Sequence, residues 1–281
     1  MSVRRPYVAG AFYPADPDRL RQTIEGCFTH RLGPGGLPRA GASERRIVSA
    51  VCPHAGYMYS GPVAAHSYYH LASEARPSSV VVVGPSHTGL GSPIAMMGSG
   101  SWETPLGRVE VDAELADAIF KASDIIDIDE RAHRMEHSIE VQLPFLQYIY
   151  GRDVRLVPIC MGFQDLESSR EVGRAVARAV EGEDAVIVAS TDLTHQEPQA
   201  SANRKDRMVI ESILSLDEEA LQERVRSNRI SMCGYGPVSA TIHASKLLGA
   251  SGAELLAYHT SGDVTGDLNA VVGYAAAKVT R

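Results

Sequence analysis

The sequence predicts a single α/β domain, residues 1–281, with a mixed central sheet covered by helices on both faces. Three observations carry that reading. Short apolar runs of strand length recur along the chain, as V-V-V-V does at Val80 to Val83, and between them lie segments with helical spacing. Several of the apolar runs give way at once to polar segments bearing Gly or Pro. Hydrophobic residues make up 44% and charged residues 22% of 281, a globular composition with ample material for one large core.

In order along the chain, the Gly- and Pro-rich stretch at residues 32–46 reads as a surface linker. Residues 47–52 are apolar and read as a buried strand. Residues 62–74 read as a helix with Pro62 in its first turn, and residues 79–83 as a second buried strand. Strand, helix and strand in that order imply a parallel crossover. Residues 102–111 alternate around Pro-Leu-Gly and predict a hairpin. Residues 113–122 form a short helix with Leu115 and Ile119 on one face. Ile139, Leu143, Leu146 and Tyr150 keep helical spacing, and Pro144 predicts a kink or a helix start there. Residues 154–159 and 185–189 are strands, separated by an amphipathic helix at 166–181. Helices follow at 202–214, 218–228 and 237–248, and strands at 254–260 and 270–279 close the chain.

The net charge of −7 and sequence pI of about 5.8 argue against a basic, duplex-binding surface, so no nucleic-acid partner is expected. The chain has no secretory h-region near its start and no run approaching the ~18 apolar residues of a membrane helix. A cytoplasmic protein without a membrane partner is therefore expected. The cysteines are Cys27, Cys52, Cys160 and Cys233, and none forms a C-x-x-C pair, which excludes a zinc ribbon or thioredoxin motif.

The chemistry-bearing residues follow the apolar strands. P-H-A-G-Y-M-Y-S-G carries His54 and Tyr57, G-P-S-H-T-G carries Ser86 and His87, and S-T-D-L-T-H carries Asp192 and His195. Ligands of open α/β sheets bind beyond the carboxyl ends of strands, so these segments are expected to meet in one cleft. Two imidazoles from adjacent strand ends, His54 and His87, can face one metal ion. Asp192 and Cys233 are the candidates for a third ligand. His195 and Tyr57 are then candidates for supporting groups or an acid–base pair. Y-M-Y and S-Y-Y-H near His54 are candidate cleft linings, and a half-buried helix face explains Tyr68 and Tyr69 equally well. His133, Glu136 and His137 match the H-x-x-E-H protease pattern, but that motif needs one continuous helix, and the charged run before Ser138 reads as loop. Glu136 and His137 remain near the expected cleft.

In combination, R-R-P-Y-V-A-G-A-F-Y-P, P-H-A-G-Y-M-Y-S-G-P-V-A-A, G-P-S-H, E-H-S-I-E-V-Q-L-P-F-L, S-T-D-L-T-H and M-C-G-Y-G-P resemble the Memo (mediator of cell motility) family, in order and over nearly the full chain. The resemblance implies a fold similar to the class III extradiol dioxygenases, which hold non-haem iron(II). It implies His54, His87 and Cys233 as metal ligands, with Asp192 and His195 in the same pocket. A cysteine stands where those dioxygenases have a carboxylate, and a thiolate is a softer donor with redox chemistry of its own. The implied cofactor is a redox metal, iron(II) or copper ahead of zinc. The implied partners are an AMMECR-type protein and a radical-SAM protein, the AmmeMemoRadiSam set. The leading expectation is redox or oxygenase-type chemistry, with Asp192, His195 and Tyr57 in acid–base and pocket-lining roles. The alternative is a non-enzymatic module that binds a peptide or partner in the same cleft, and a lesser one is a zinc hydrolase.

Overall fold

The strand–helix alternation expected from the sequence is present in a computed structural model that describes residues 2–41, 44–151 and 153–281. Ala42 and Ser43 of the expected linker lie outside the described residues; the rest of that linker carries no helix or strand. The elements run β1 (Val3–Arg4), α1 (Pro17–Thr29), β2 (Ile47–Cys52), α2 (Tyr57–Ala72), β3 (Ser79–Pro85), β4 (Ile94–Met96), β5 (Ser101–Thr104), β6 (Gly107–Glu110), α3 (Ala113–Lys121) and β7 (Asp127–Ile128). They continue with α4 (Leu143–Tyr150), β8 (Arg155–Met161), α5 (Leu166–Val180), β9 (Ala185–Ser190), β10 (His195–Glu197), α6 (Gln199–Leu214), α7 (Glu218–Ser227), α8 (Tyr235–Leu247), β11 (Gly252–Thr260), α9 (Ser261–Thr265) and β12 (Val271–Thr280).

The sheet order is β10-β12-β2-β9-β3-β8-β4-β7, with β11 on the other side of β12. Its centre, β2-β9-β3-β8, is parallel, while β12 and β4 flank it antiparallel. Buried on both faces, these strands are near-continuous apolar sequence. Alternate residues supply the two cores. Val80 and Val82 face a layer of α1, α2, α4 and the β5–β6 hairpin, while Val81 and Val83 face α3, α5 and α8. Further along the second face, Val51 and Ala189 pack with α6, α7 and α8. Among the described residues no helix is long and apolar enough to cross a membrane.

The expected parallel crossover from β2 to β3 is present, and β9 lies between the two strands. One helix boundary is corrected and one helix is added. α2 starts at Tyr57, with Pro62 inside it rather than in its first turn. Pro62 forgoes a helical bond, and the buried Val63, Tyr68 and Leu71 hold the helix around it. α1 has no counterpart among the sequence-predicted elements. Asp16 caps it by accepting from the Arg19 N–H, Pro17 opens it, and Leu20, Ile24, Cys27 and Phe28 form its buried stripe. Pro144 does mark a helix start, for α4 opens beside it after a 3-10 turn at Glu140–Gln142.

Candidate metal centre

Three central strands end beneath one cleft. β2 leads into His54, β3 into His87 and β9 into Asp192. The cleft holds about 700 Å³ and is walled by His54, His87, His137, Asp192 and His195, together with apolar and aromatic side chains.

His54 is almost wholly buried. Its backbone N–H donates to Asp192 Oδ1 (2.8 Å), its Nδ1 lies 2.8 Å from Ser190 Oγ, and its Nε2 lies 3.2 Å from Cys233 Sγ. Burial first, then the imidazoles of His137, His87 and His195, hold its pKa well below the ordinary value, so the ring is neutral. The His87 ring centroid is 5.2 Å from that of His54, and its Nδ1 lies 2.9 Å from Glu136 Oε1. Burial pulls the His87 pKa down, but the bond and charge of Glu136 outweigh it and move the net value up. Glu136 is itself buried and accepts the backbone N–H groups of His87, His137 and Ser138. Against the penalty of burial, these contacts bring its pKa down to about 2.

Cys233 arrives from a third direction, just before α8. Its sulfur accepts the Asp192 N–H at 3.2 Å, and Gln164 Nε2 donates to its carbonyl at 2.9 Å. Gly234 permits this approach, since a Cβ there would stand 2.5 Å from the Ser190 carbonyl oxygen. Burial first and then the Asp192 charge push the Cys233 thiol well up, so with no cation beside it the sulfur keeps its proton.

The donor chemistry fits a metal ion. One ligand atom from each of His54, His87 and Cys233 lies within 4.8 Å of the other two. Both Nδ1 atoms are engaged by partners in the protein, leaving Nε2 as the free donor of each ring. A second group, His87, Glu136 and His137, is equally close. There, however, the Glu136 oxygens already meet four N–H groups, which makes that carboxylate the support of His87.

Asp192 is buried, and burial raises its pKa to about 6 against the bonds from His54 and Ala55 and the charges of His195 and His87. His195 is in the cleft wall with its Nδ1 2.8 Å from the Ser231 carbonyl oxygen, an acceptor only, so Nδ1 carries the proton. Tyr57, expected in the pocket, is elsewhere. As the first residue of α2 it is turned into the core, donating to the Val141 carbonyl at 2.7 Å and packing on Phe145 and Tyr13. Tyr59, of the same Y-M-Y, reaches the wall instead. The H-x-x-E-H residues separate as expected. His133 is buried against Trp102, whereas His137 stacks on His87 with ring centroids 4.5 Å apart.

The sequence marks residues 4–13 only as part of the family resemblance and assigns them no place in this site. Buried Glu140 accepts from the Arg4 guanidinium, the backbone N–H groups of Tyr7 (2.9 Å) and Val8 (3.0 Å), and the Tyr13 hydroxyl. Arg4 also donates to the carbonyls of His133 (3.0 Å) and Glu136 (2.7 Å), with Trp102 against its face. The strap so fastened lays Phe12 in the cleft wall, its ring 4.8 Å from that of His137.

A family model described as Memo-like protein matches residues 4–278. A MEMO1 family protein of Methanopyrus kandleri is 55% identical over 275 residues, 97% of each chain. One of Methanothermobacter thermautotrophicus is 54% identical over 97% of this chain and 99% of its own. One of Methanocaldococcus jannaschii is 50% identical over 99% of each. Among solved structures, an uncharacterized protein from Escherichia coli K12 shares the fold, with a TM-score of 0.56 and 15% identity, covering 83% of this chain and 99% of its own.

Proposed function

Because this chain belongs to the Memo-like family, we propose that it binds a redox-active metal ion through His54, His87 and Cys233 and carries out oxygenase-type or redox chemistry in its cleft. The observation that carries the reading is the convergence of those three ligand atoms, with each imidazole held by a partner at Nδ1. Iron(II) or copper suits two imidazoles and a thiolate, and such an ion supplies one-electron chemistry towards dioxygen or substrate. The chain's own groups do the rest. The apolar wall at Phe12, Tyr59 and Tyr274 keeps water from part of the cleft. Asp192 is poised to hold or release a proton near pH 6, and His195, with Nδ1 committed to the Ser231 carbonyl, keeps Nε2 for acid–base work. The reading gives the protein an AMMECR-type protein and a radical-SAM protein as partners; the support for both is the family resemblance alone.

The test is elemental analysis of protein purified without oxygen, beside His54→Ala and Cys233→Ser. Near-stoichiometric iron or copper that is lost in both variants supports the proposal. Zinc instead favours a hydrolase. Protein that takes up no metal overturns the reading and leaves a binding module in the same cleft.

A further inference from the structure

Five residues around His54 leave only one way to place their hydrogens. The Gln142 amide meets the Pro53 carbonyl at 3.0 Å through Nε2, and its Oε1 receives the Tyr68 hydroxyl at 2.5 Å. A carbonyl only accepts, so the NH2 end must face Pro53, and the same NH2 donates to Ser190 Oγ at 2.8 Å. Ser190 has one proton to give. The Ser138 carbonyl oxygen, 2.6 Å away, takes it. Ser190 Oγ is then an acceptor only toward its remaining neighbour, His54 Nδ1 at 2.8 Å. That nitrogen must carry the hydrogen, so in the neutral ring the tautomer is fixed and the opposite nitrogen is bare.

We propose that Gln142 and Ser190 are positioning residues that lock His54 as its Nδ1–H tautomer and so present an unprotonated Nε2 beside Cys233 Sγ. The proposal deepens the metal reading above. With this lock, His54 needs no proton shift before coordinating; without it, the ring divides between two tautomers, one of which carries a hydrogen where the ion would bind. Neither residue is among the three that would hold the ion. Ser190 is the last residue of β9, and Gln142 ends a 3-10 turn and is held through Tyr68, so one half of the lock belongs to the sheet and the other is pinned to α2.

The experiment is long-range ¹H–¹⁵N correlation NMR on metal-free protein labelled at histidine nitrogens, with His54 assigned by its absence in His54→Ala. The expected spectrum gives His54 a protonated Nδ1 and a bare Nε2. In Ser190→Ala the preference is lost, and zinc, used as the probe, binds roughly 10–100-fold more weakly. Gln142→Met, which keeps the length of the side chain but removes its donors, shifts the tautomer balance in the same direction and serves if Ser190→Ala does not fold. A wild-type His54 protonated at Nε2 overturns the proposal, and so does a Ser190→Ala protein with the wild-type tautomer and zinc affinity. The tautomer is read without metal, so protein that shows the lock yet takes up no zinc, iron or copper contradicts the metal reading and not the assignment.

Discussion

Replacing Glu140 with glutamine removes a negative charge from a place water does not reach. The carboxylate is wholly buried, and the Arg4 side chain beside it is 4% exposed. In Glu140→Gln the guanidinium keeps the carbonyls of His133 and Glu136 and the Trp102 face, but no counter-charge. Removing one partner of a buried ion pair costs about 3–5 kcal/mol. At about 2–4 °C per kcal/mol for a chain approaching this length, Tm should fall by roughly 6–20 °C. Thermal unfolding followed by circular dichroism reads that directly. Arg4→Met and the double variant complete a cycle, whose coupling should be about 1–3 kcal/mol, with the double variant less impaired than the two single losses summed. A fall in Tm below about 2 °C for Glu140→Gln, or strict additivity in the cycle, would refute the view that this pair fastens the strap.

Glu218 supplies a pH prediction. Although burial opposes it, Lys246, Arg170 and His243 bring its carboxyl from 4.5 down to about 2. A depressed carboxylate stabilises the fold above its unfolded pKa, and that contribution fades as pH falls from about 4.5 toward 2. After allowance for the half-exposed lysine and arginine, Glu218→Gln should lose about 2 kcal/mol at pH 7 in urea unfolding, and the gap should close near pH 2. Gly234→Ala forces a Cβ against the Ser190 carbonyl; we expect a loss of about 1–3 kcal/mol and lower metal retention, both measurable on one preparation. Tyr57→Phe should lose about 1 kcal/mol with the Val141 bond and leave metal content untouched; a drop in metal content would return Tyr57 to the site.

The central strands are legible in sequence because burial on both faces makes them continuous apolar runs, and the polar segments after them announce the cleft. Strand order is not legible. Nothing in residues 47–83 tells that β9, a hundred residues on, will come between their strands. Tyr57 is misplaced because α2 begins after Gly56, which offers no capping side chain, while Pro62 imitates a helix start. For α1, Asp16 and Pro17 do announce the start. The roles of Glu140, Ser190 and Gln142 stay hidden, since their partners lie 48 to 136 residues away and act through single bonds.

The position of β9 between β2 and β3 works as a ruler. Two strand spacings set the backbones that carry His54 and His87 roughly 10 Å apart, and the ladder registers, not the loops, maintain that span. The third donor is under no such constraint. Cys233 comes from a short connection ahead of α8, tied down by Gln164 and Thr191. Two arms of the site are therefore as durable as the sheet, while the third can be exchanged by a change in one loop. On the proposed metal reading, a change in metal preference needs only a change in that loop, whereas moving the two histidines relative to each other requires shifting strands of the core.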